Sequence, residues 1–375
     1  MNRNLIHCLE DIPARAVLTS SSALDLYYNH PEARVLHAAT EADLIELAKH
    51  LGAIEYPGIE GVDAALSTGE GCVLFSCVES VRSLPRNLFT IADFAYDPAE
   101  RKFLDPHGMY TDLRAKLLRI SEDVVFNANW QTVALAAVLL SHFNLTPEEG
   151  LDLSRLSPGA YGEELSILEQ RLLLEELFAG RFVGEAFRLL RSTGFVDLHW
   201  PELAEMYGVD HAKEFHPEGN VWDHTLETFN YRKTTDLSLA YGLLFHDSGK
   251  PFATPNEGRK FDRHAQIGGG VVSKFLRRLG YDDGFINDVS FLVREHMLPS
   301  VLHTLPTYRT EKVMSSQLFP LLLELHRCDL SSTYRGPDGY YRACKVYRAY
   351  LKNVRNPFRT ADGKKMLKRY VHSGR

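Results

Sequence analysis

Six residues in the second half of the sequence have side chains that bind divalent cations: His224, His246, Asp247, His264, His296 and Asp329. His246 and Asp247 are adjacent in Leu239-Ala-Tyr-Gly-Leu-Leu-Phe-His246-Asp247-Ser-Gly-Lys250-Pro251, where an apolar helical run is stopped by Gly and Pro. An imidazole nitrogen and a carboxylate oxygen at one helix end can face a single ion. The dipeptide alone carries little weight, since it occurs by chance in many proteins. Its context carries more. His224 lies one helix upstream in Asn220-Val-Trp-Asp-His224, and His264, His296 and Asp329 follow in Phe261-Asp-Arg-His264, Val293-Arg-Glu-His296 and Leu325-His-Arg-Cys-Asp329. Each falls at or near the end of a predicted helix, and a bundle can gather such ends around one cavity. A nitrogen and oxygen set without thiolate fits one or two hard or borderline divalent ions (Mg, Mn, Ni, Co or Fe) better than structural zinc. Asp247 is the candidate catalytic carboxylate. Lys250, just past the helix end, is the candidate to hold a phosphate oxygen as a point charge, and Arg294 is a second candidate for that task. A lone histidine is more often a core or capping residue, but six aligned positions favour the metal reading. His216, Asp223 and His326 are read as capping, surface or orienting residues, not ligands.

The elements that must position these residues are mostly helical. Apolar residues three and four apart predict helices over Asp223–Tyr231, Leu237–His246, Ala265–Leu279, Asp288–His296, Leu318–Asp329 and Tyr340–Val354. Upstream, Trp130–Phe143, Tyr161–Phe178, Val183–Thr193 and Leu198–Met206 read the same way. The first 115 or so residues differ: β-prone runs at Arg15–Thr19 and Val73–Cys77 alternate with a helical stretch at Ala42–Leu51. The expected class is α+β, with a small α/β head over 1–115, a helical neck over 116–209 and an all-α domain over 210–375.

With 375 residues, 45% apolar and 24% charged, the composition is that of a globular chain and excludes a disordered or fibrous one. The longest apolar run, Val133 to Leu140, is far short of the ~18–20 residues of a membrane span. The N-terminus has no secretory pattern, and five cysteines without a CxxC pair read as reduced thiols of a cytoplasmic protein. The net charge of −7 is uneven: Lys352 to Arg375 holds eight basic residues and one acid, the rest 34 basic and 48 acidic. That pattern argues against coating of DNA but allows local contact with phosphate.

The series His224, His246-Asp247, Asp329 resembles the signature of the HD superfamily of metal-dependent phosphohydrolases. The resemblance implies that these four are ligands, that His264 and His296 serve a second ion, and that Asp247 lies between two ions with a water as nucleophile. Longer strings narrow it. Glu214-Phe-His-Pro-Glu-Gly-Asn-Val-Trp-Asp-His-Thr, His246-Asp-Ser-Gly-Lys-Pro, Arg263-His-Ala-Gln-Ile-Gly-Gly and Val293-Arg-Glu-His-Met are similar to the HD domain attached to bacterial CCA-adding enzymes, the tRNA nucleotidyltransferase/poly(A) polymerase family. Phe89-Thr-Ile-Ala-Asp-Phe-Ala-Tyr-Asp-Pro and Ala186-Phe-Arg-Leu-Leu-Arg-Ser-Thr-Gly-Phe resemble that family's head and neck.

The residues that would make the head a polymerase are missing. Where the resemblance implies a Gly-Gly phosphate turn, the chain has Leu18-Thr-Ser-Ser-Ser-Ala-Leu-Asp25, and each serine Cβ obstructs approach of a triphosphate. Where it implies paired metal-binding carboxylates, Ala33–Thr40 has no acid. The base-reading Asp and Arg of the neck fall on Asn129 and Thr132, and a further Arg falls near Ala160.

The resemblance therefore implies a divalent-metal HD phosphohydrolase or phosphodiesterase acting on a nucleotide or RNA-end phosphate, with 2′-nucleotidase, 2′,3′-cyclic phosphodiesterase and phosphatase as the associated activities. One alternative is a CCA-adding family member that retains tRNA or nucleotide binding. The other is a non-catalytic nucleotide-binding module. No membrane partner is expected.

Overall fold

The computed structural model describes residues 3–30, 33–69, 71–125, 128–159, 162–210, 219–254, 261–356 and 358–365. Residues 214–218 with His216, Ala160, and Lys368 and Arg369 of the basic tail lie outside the described residues. The fold is mixed α+β and divides into two compact units, Met1–Pro201 and Glu202–Arg375. Among the described residues no helix is long and apolar enough to cross a membrane.

The first unit is built on a six-stranded sheet of β1 (Ala16–Thr19), β2 (Val35–Thr40), β3 (Ala64–Thr68), β4 (Gly71–Cys77), β5 (Ala95–Asp97) and β6 (Lys102–Leu104). Its spatial order is β3-β4-β2-β1-β5-β6; β2 and β4 run parallel and the other neighbours antiparallel. Its helices are α1 (Arg3–Glu10), α2 (Ser20–Tyr27), α3 (Leu44–Leu51), α4 (Tyr110–Ala115), α5 (Trp130–His142), α6 (Ile167–Ala179), α7 (Val183–Ser192) and α8 (Phe195–His199). Because side chains alternate along a strand, β2 and β4 feed two cores. Leu36, Ala38, Val73 and Phe75 pack with Leu9 of α1 and Leu47 of α3, while Val35 and Leu74 pack against Leu172 of α6. The helices read from sequence as a neck over 116–209 fall, as far as Pro201, in the same compact unit as the sheet.

Capping decides where the helices begin. Asp43 and Glu46 close a capping box on α3, and Ser166 and Glu169 do the same on α6, so α6 starts later than Tyr161. The helix expected over Leu198–Met206 is broken at Trp200. Proline has no N–H to give, so Pro201 opens a new helix, α9 (Pro201–Ala204).

A buried ion pair ties α2 to α5. His142 Nδ1 lies 2.8 Å from Asp25 Oδ1 and Nε2 lies 2.8 Å from the Glu176 carbonyl, with both side chains almost fully buried. Only the imidazolium can donate to both acceptors. Burial disfavours that charge, but the Asp25 carboxylate and its hydrogen bond outweigh it and push His142 up to about 9. A pKa raised on folding gives stability that is complete below the unfolded value of about 6.5 and lost as pH climbs through 9. The urea midpoint of the protein is therefore expected to fall between pH 6.5 and 9. His142→Gln, less stable at neutral pH, should be flat across that window; a wild-type midpoint that holds level would contradict the assignment.

The second unit comprises α10 (Val221–Thr228), α11 (Leu237–Phe245), α12 (His264–Arg278), α13 (Asp283–Glu295), α14 (Leu298–Val301), α15 (Thr307–Met314), α16 (Phe319–Ser331) and α17 (Asp338–Val354). The segment Leu-Ser-Leu-Ala-Tyr-Gly-Leu-Leu-Phe of α11 is apolar nearly all round, the pattern of a helix enclosed on every side. It packs against α10, α12, α13 and α16. Its buried C-terminal end is where His246 and Asp247 emerge.

Candidate metal centre

Each of the six sequence-selected residues comes from a helix end or helix face that meets the end of α11. His246 directly follows α11, His264 is the first residue of α12 and His296 directly follows α13. His224 lies in the first turn of α10, and Asp329 in the last turn of α16. They form two groups, His224/His246/Asp329 and Asp247/His264/His296, whose ligand atoms lie within 4.8 Å of one another inside each group.

Three of the rings are aimed by the chain itself. His246 Nδ1 lies 2.8 Å from the Leu243 carbonyl, His264 Nδ1 3.0 Å from that of Phe261, and His296 Nδ1 2.7 Å from that of Val293. In each case the carbonyl is three residues earlier. A carbonyl only accepts, so these contacts assign the proton to Nδ1 and leave the Nε2 lone pair facing inward. His224 uses a side chain instead: Ser332 Oγ donates to the Asp329 carbonyl at 2.7 Å and faces His224 Nδ1 at 3.3 Å.

The inward-facing atoms converge. His224 Nε2 is 3.0 Å and His246 Nε2 3.9 Å from Asp329 Oδ1. Asp247 faces both groups, with Oδ2 3.3 Å from His246 Nε2, and Oδ1 3.5 Å from His264 Nε2 and 3.8 Å from His296 Nε2. Two observations show that this donor set fits a cation. His246 Nε2 is buried and has no hydrogen-bond partner among the described residues. His264 Nε2 and His296 Nε2 oppose one another at 3.3 Å although both rings carry their proton on Nδ1. Two facing lone pairs repel unless a positive charge lies against them. Nitrogen and carboxylate donors of this kind suit a divalent ion.

The local field keeps the ligands in their binding forms. Burial alone would push Asp247 up, but the Lys250 ammonium and the His246 ring hold it well below the usual carboxylate range. Burial likewise acts against Asp329, where the His224 hydrogen bond and the nearby His246 ring prevail and lower it. Burial lowers His296 to about 3, reinforced by His246, and lowers His264 against the pull of Asp247. Ionised carboxylates and neutral His264 and His296 rings at pH 7 are what metal binding requires.

Backbone features complete the arrangement. A Cβ on Gly249 would lie 2.0 Å from the His264 carbonyl oxygen and 2.5 Å from Gly268 N, so the turn after Asp247 touches the start of α12 directly. Arg263, preceding His264, adopts a left-handed φ of 58°, a conformation rare for a residue with a Cβ. Neither glycine nor Arg263 drew notice as part of the site from sequence, and neither did Ser332. The glycine punctuation in His246-Asp-Ser-Gly was the one available signal.

Lys250 Nζ sits 2.5 Å from Asp247 Oδ2, so it is paired with the central carboxylate. Arg294 is exposed, lies over Gly269 of α12, and makes no hydrogen bond or ion pair with the six residues. Asp223 exchanges hydrogen bonds with Asn220, the residue that caps α10. His326 Nε2 is buried without a hydrogen-bond partner among the described residues and belongs to neither group.

In the first unit, two serines of the segment likened to a phosphate turn are engaged in hydrogen bonds. Ser20 holds a left-handed φ of 51°, Ser22 Oγ accepts from His37 N at 2.8 Å, and Ser21 Oγ donates to Glu176 at 3.2 Å. Ala33–Thr40 supplies strand β2 with His37, whose Nε2 lies 2.9 Å from Glu176 Oε1. Asn129 Oδ1 accepts from Thr132 N at 2.7 Å and caps α5. A cavity of about 420 Å³ lies here, lined by residues including Ser20, Ser21, His37, Gln131 and Glu176 and, among the described residues, by no Lys or Arg.

The chain is related in sequence to tRNA nucleotidyltransferases of the CCA-adding type. It is 27% identical to the A-adding tRNA nucleotidyltransferase of Deinococcus radiodurans over 286 residues, 72% of this chain and 64% of that protein. It is 27% identical to the Multifunctional CCA protein of Methylococcus capsulatus over 252 residues, 64% of this chain and 56% of that protein. The chain thus spans about three-fifths of the length of these curated relatives. No protein-family model matches it. Among solved structures, the Bacillus stearothermophilus CCA-adding enzyme in complex with CTP aligns at 14% identity with a TM-score of 0.48, over 93% of this chain and 81% of that one. The Thermotoga maritima CCA-adding enzyme complexed with tRNA aligns at 14% with a TM-score of 0.46, over 95% and 83%.

Proposed function

We propose that the chain is a tRNA nucleotidyltransferase relative that retains binding of a nucleotide or RNA end and hydrolyses its phosphate ester at the centre of the second unit. The relatives support the nucleotide- or RNA-binding part of this reading. The hydrolytic part rests on one observation: the two oxygens of Asp247 face two separate groups of imidazole nitrogens. A divalent cation bound there supplies Lewis-acid stabilisation of the phosphoryl oxygens and acidifies water. The chain's own residues do the rest. The ionised carboxylates and the neutral His264 and His296 rings form a preset cradle, and Lys250, now paired with Asp247, stands where it can turn to a phosphate oxygen.

The first unit is proposed not to add nucleotides, because β2 offers no carboxylate pair and the described lining of the cavity beside it offers a triphosphate no Lys or Arg. Two assays test the reading together. Purified protein loaded with Mn²⁺ or Ni²⁺ should hydrolyse at least one of a set of phosphomonoesters, 2′,3′-cyclic nucleotides and dinucleotides, and a chelator should abolish turnover. The same protein with Mg²⁺, CTP and ATP should leave a tRNA lacking its CCA end unextended. Robust CMP or AMP incorporation would contradict the second statement; bound metal without hydrolysis of any of these esters would leave a binding module.

A further inference from the structure

Helix α17 buries Ala343 and Tyr350 and packs against α14 and α16, so it is an integral part of the second unit. Its outer side is unusual in charge. Arg342, Lys345, Arg348, Lys352 and Arg355 are all exposed, spaced three or four residues apart, and so share one face about 20 Å long. After Asp338 the helix contains no acid, and none of the five cations forms an ion pair among the described residues. An ordinary solvated helix face intersperses both signs. Here the charges are left uncompensated on a rigid support.

Aromatic side chains accompany the stripe. Tyr341, on the same face, is 63% exposed, and Tyr334 and Phe358, in the segments flanking the helix, are 71% and 63% exposed. A row of cations beside exposed rings matches a flexible polyanion whose unpaired bases can stack, a combination duplexes do not offer. The first turn of α17 adjoins α16, the helix that carries Asp329: a Cβ on Gly339 would lie 3.4 Å from Leu330 and 3.9 Å from His326.

We propose that this face of α17 binds the backbone of single-stranded RNA and lays one end of the strand toward the centre. Binding by the face stands on the stripe alone; presentation of an end for hydrolysis rests on the function proposed above. The test uses the full chain, a labelled unpaired 12-nucleotide RNA and fluorescence anisotropy across a salt series. Arg342→Gln, Lys345→Gln, Arg348→Gln, Lys352→Gln and Arg355→Gln are combined in one variant, and a second variant exchanges Arg and Lys at the same positions to keep the charge. The plot of log affinity against log salt should flatten by about 3.5 in the glutamine variant, about 0.7 for each phosphate no longer neutralised, and at least tenfold in affinity should disappear at 50 mM salt. The charge-keeping variant should retain the slope, and hydrolysis of a mononucleotide ester should be unchanged in both. An unaltered slope in the glutamine variant overturns the proposal, as does a stripe-dependent affinity for anionic vesicles or an acidic protein with none for RNA. Failure of the hydrolytic reading is read separately: RNA binding with a normal slope in a protein that cleaves no ester leaves the binding face in place.

Discussion

Asp247→Ala is expected to lose most bound metal and hydrolytic activity together. Substitution of the residues that merely orient metal ligands typically weakens metal affinity 10–100-fold, and a carboxylate facing both groups should exceed that. Elemental analysis after gel filtration, paired with turnover of a generic phosphodiester, gives the readout, and Asp247→Asn supplies a nearly isosteric check on folding. His246→Ala should behave similarly, because its Nε2 is buried with no hydrogen-bond partner among the described residues. His264→Ala and His296→Ala should cost less metal, since the group of His224, His246 and Asp329 remains, but should still depress turnover strongly. Wild-type metal content in the Asp247 variants would remove the assignment altogether.

Gly249→Ala should damage the same centre without touching a ligand. The added methyl would lie 2.0 Å from the His264 carbonyl oxygen and 2.9 Å from its carbon, and both are backbone atoms. The start of α12 must then shift, taking His264 away from Asp247. Overpacking of this kind typically destabilises by about 1–3 kcal/mol, and more where backbone must yield. A drop of several degrees in melting temperature together with weakened metal binding is the expected result. Gly270→Ala provides the contrast on the same helix. Nothing lies within 4 Å of its Cβ position, so the helix should be unharmed or gain about 0.5–1 kcal/mol. Equal behaviour of the two variants would show that the close approach is unimportant.

How far the sequence reveals this protein depends on the kind of interaction. The two groups were legible because their members are chemically distinctive and stand at helix ends, which Gly, Pro and the loss of apolar period announce. Their aim was not legible. The carbonyls of Leu243, Phe261 and Val293 are backbone atoms that any residue provides, and Ser332 meets His224 across 108 positions of sequence. In the first unit, β1 and β4 could be found from composition, but the placing of β1 between β2 and β5 depends on long-range pairing. Asn129 and Thr132 show the reverse case. Against a family pattern they register as losses, whereas in the fold they are a helix cap with a job of its own.

The carbonyl clamps on His246, His264 and His296 make the centre unequal in its tolerance to mutation. These three rings take their direction from the main chain, which no side-chain replacement can delete. Neighbouring residues can therefore drift over evolutionary time without rotating those ligands. His224 Nδ1 instead faces a hydroxyl, which a single codon change at Ser332 would erase. Divergence among descendants of this chain should accordingly fray the His224 corner first, leaving the Asp247, His264 and His296 corner as the more durable half.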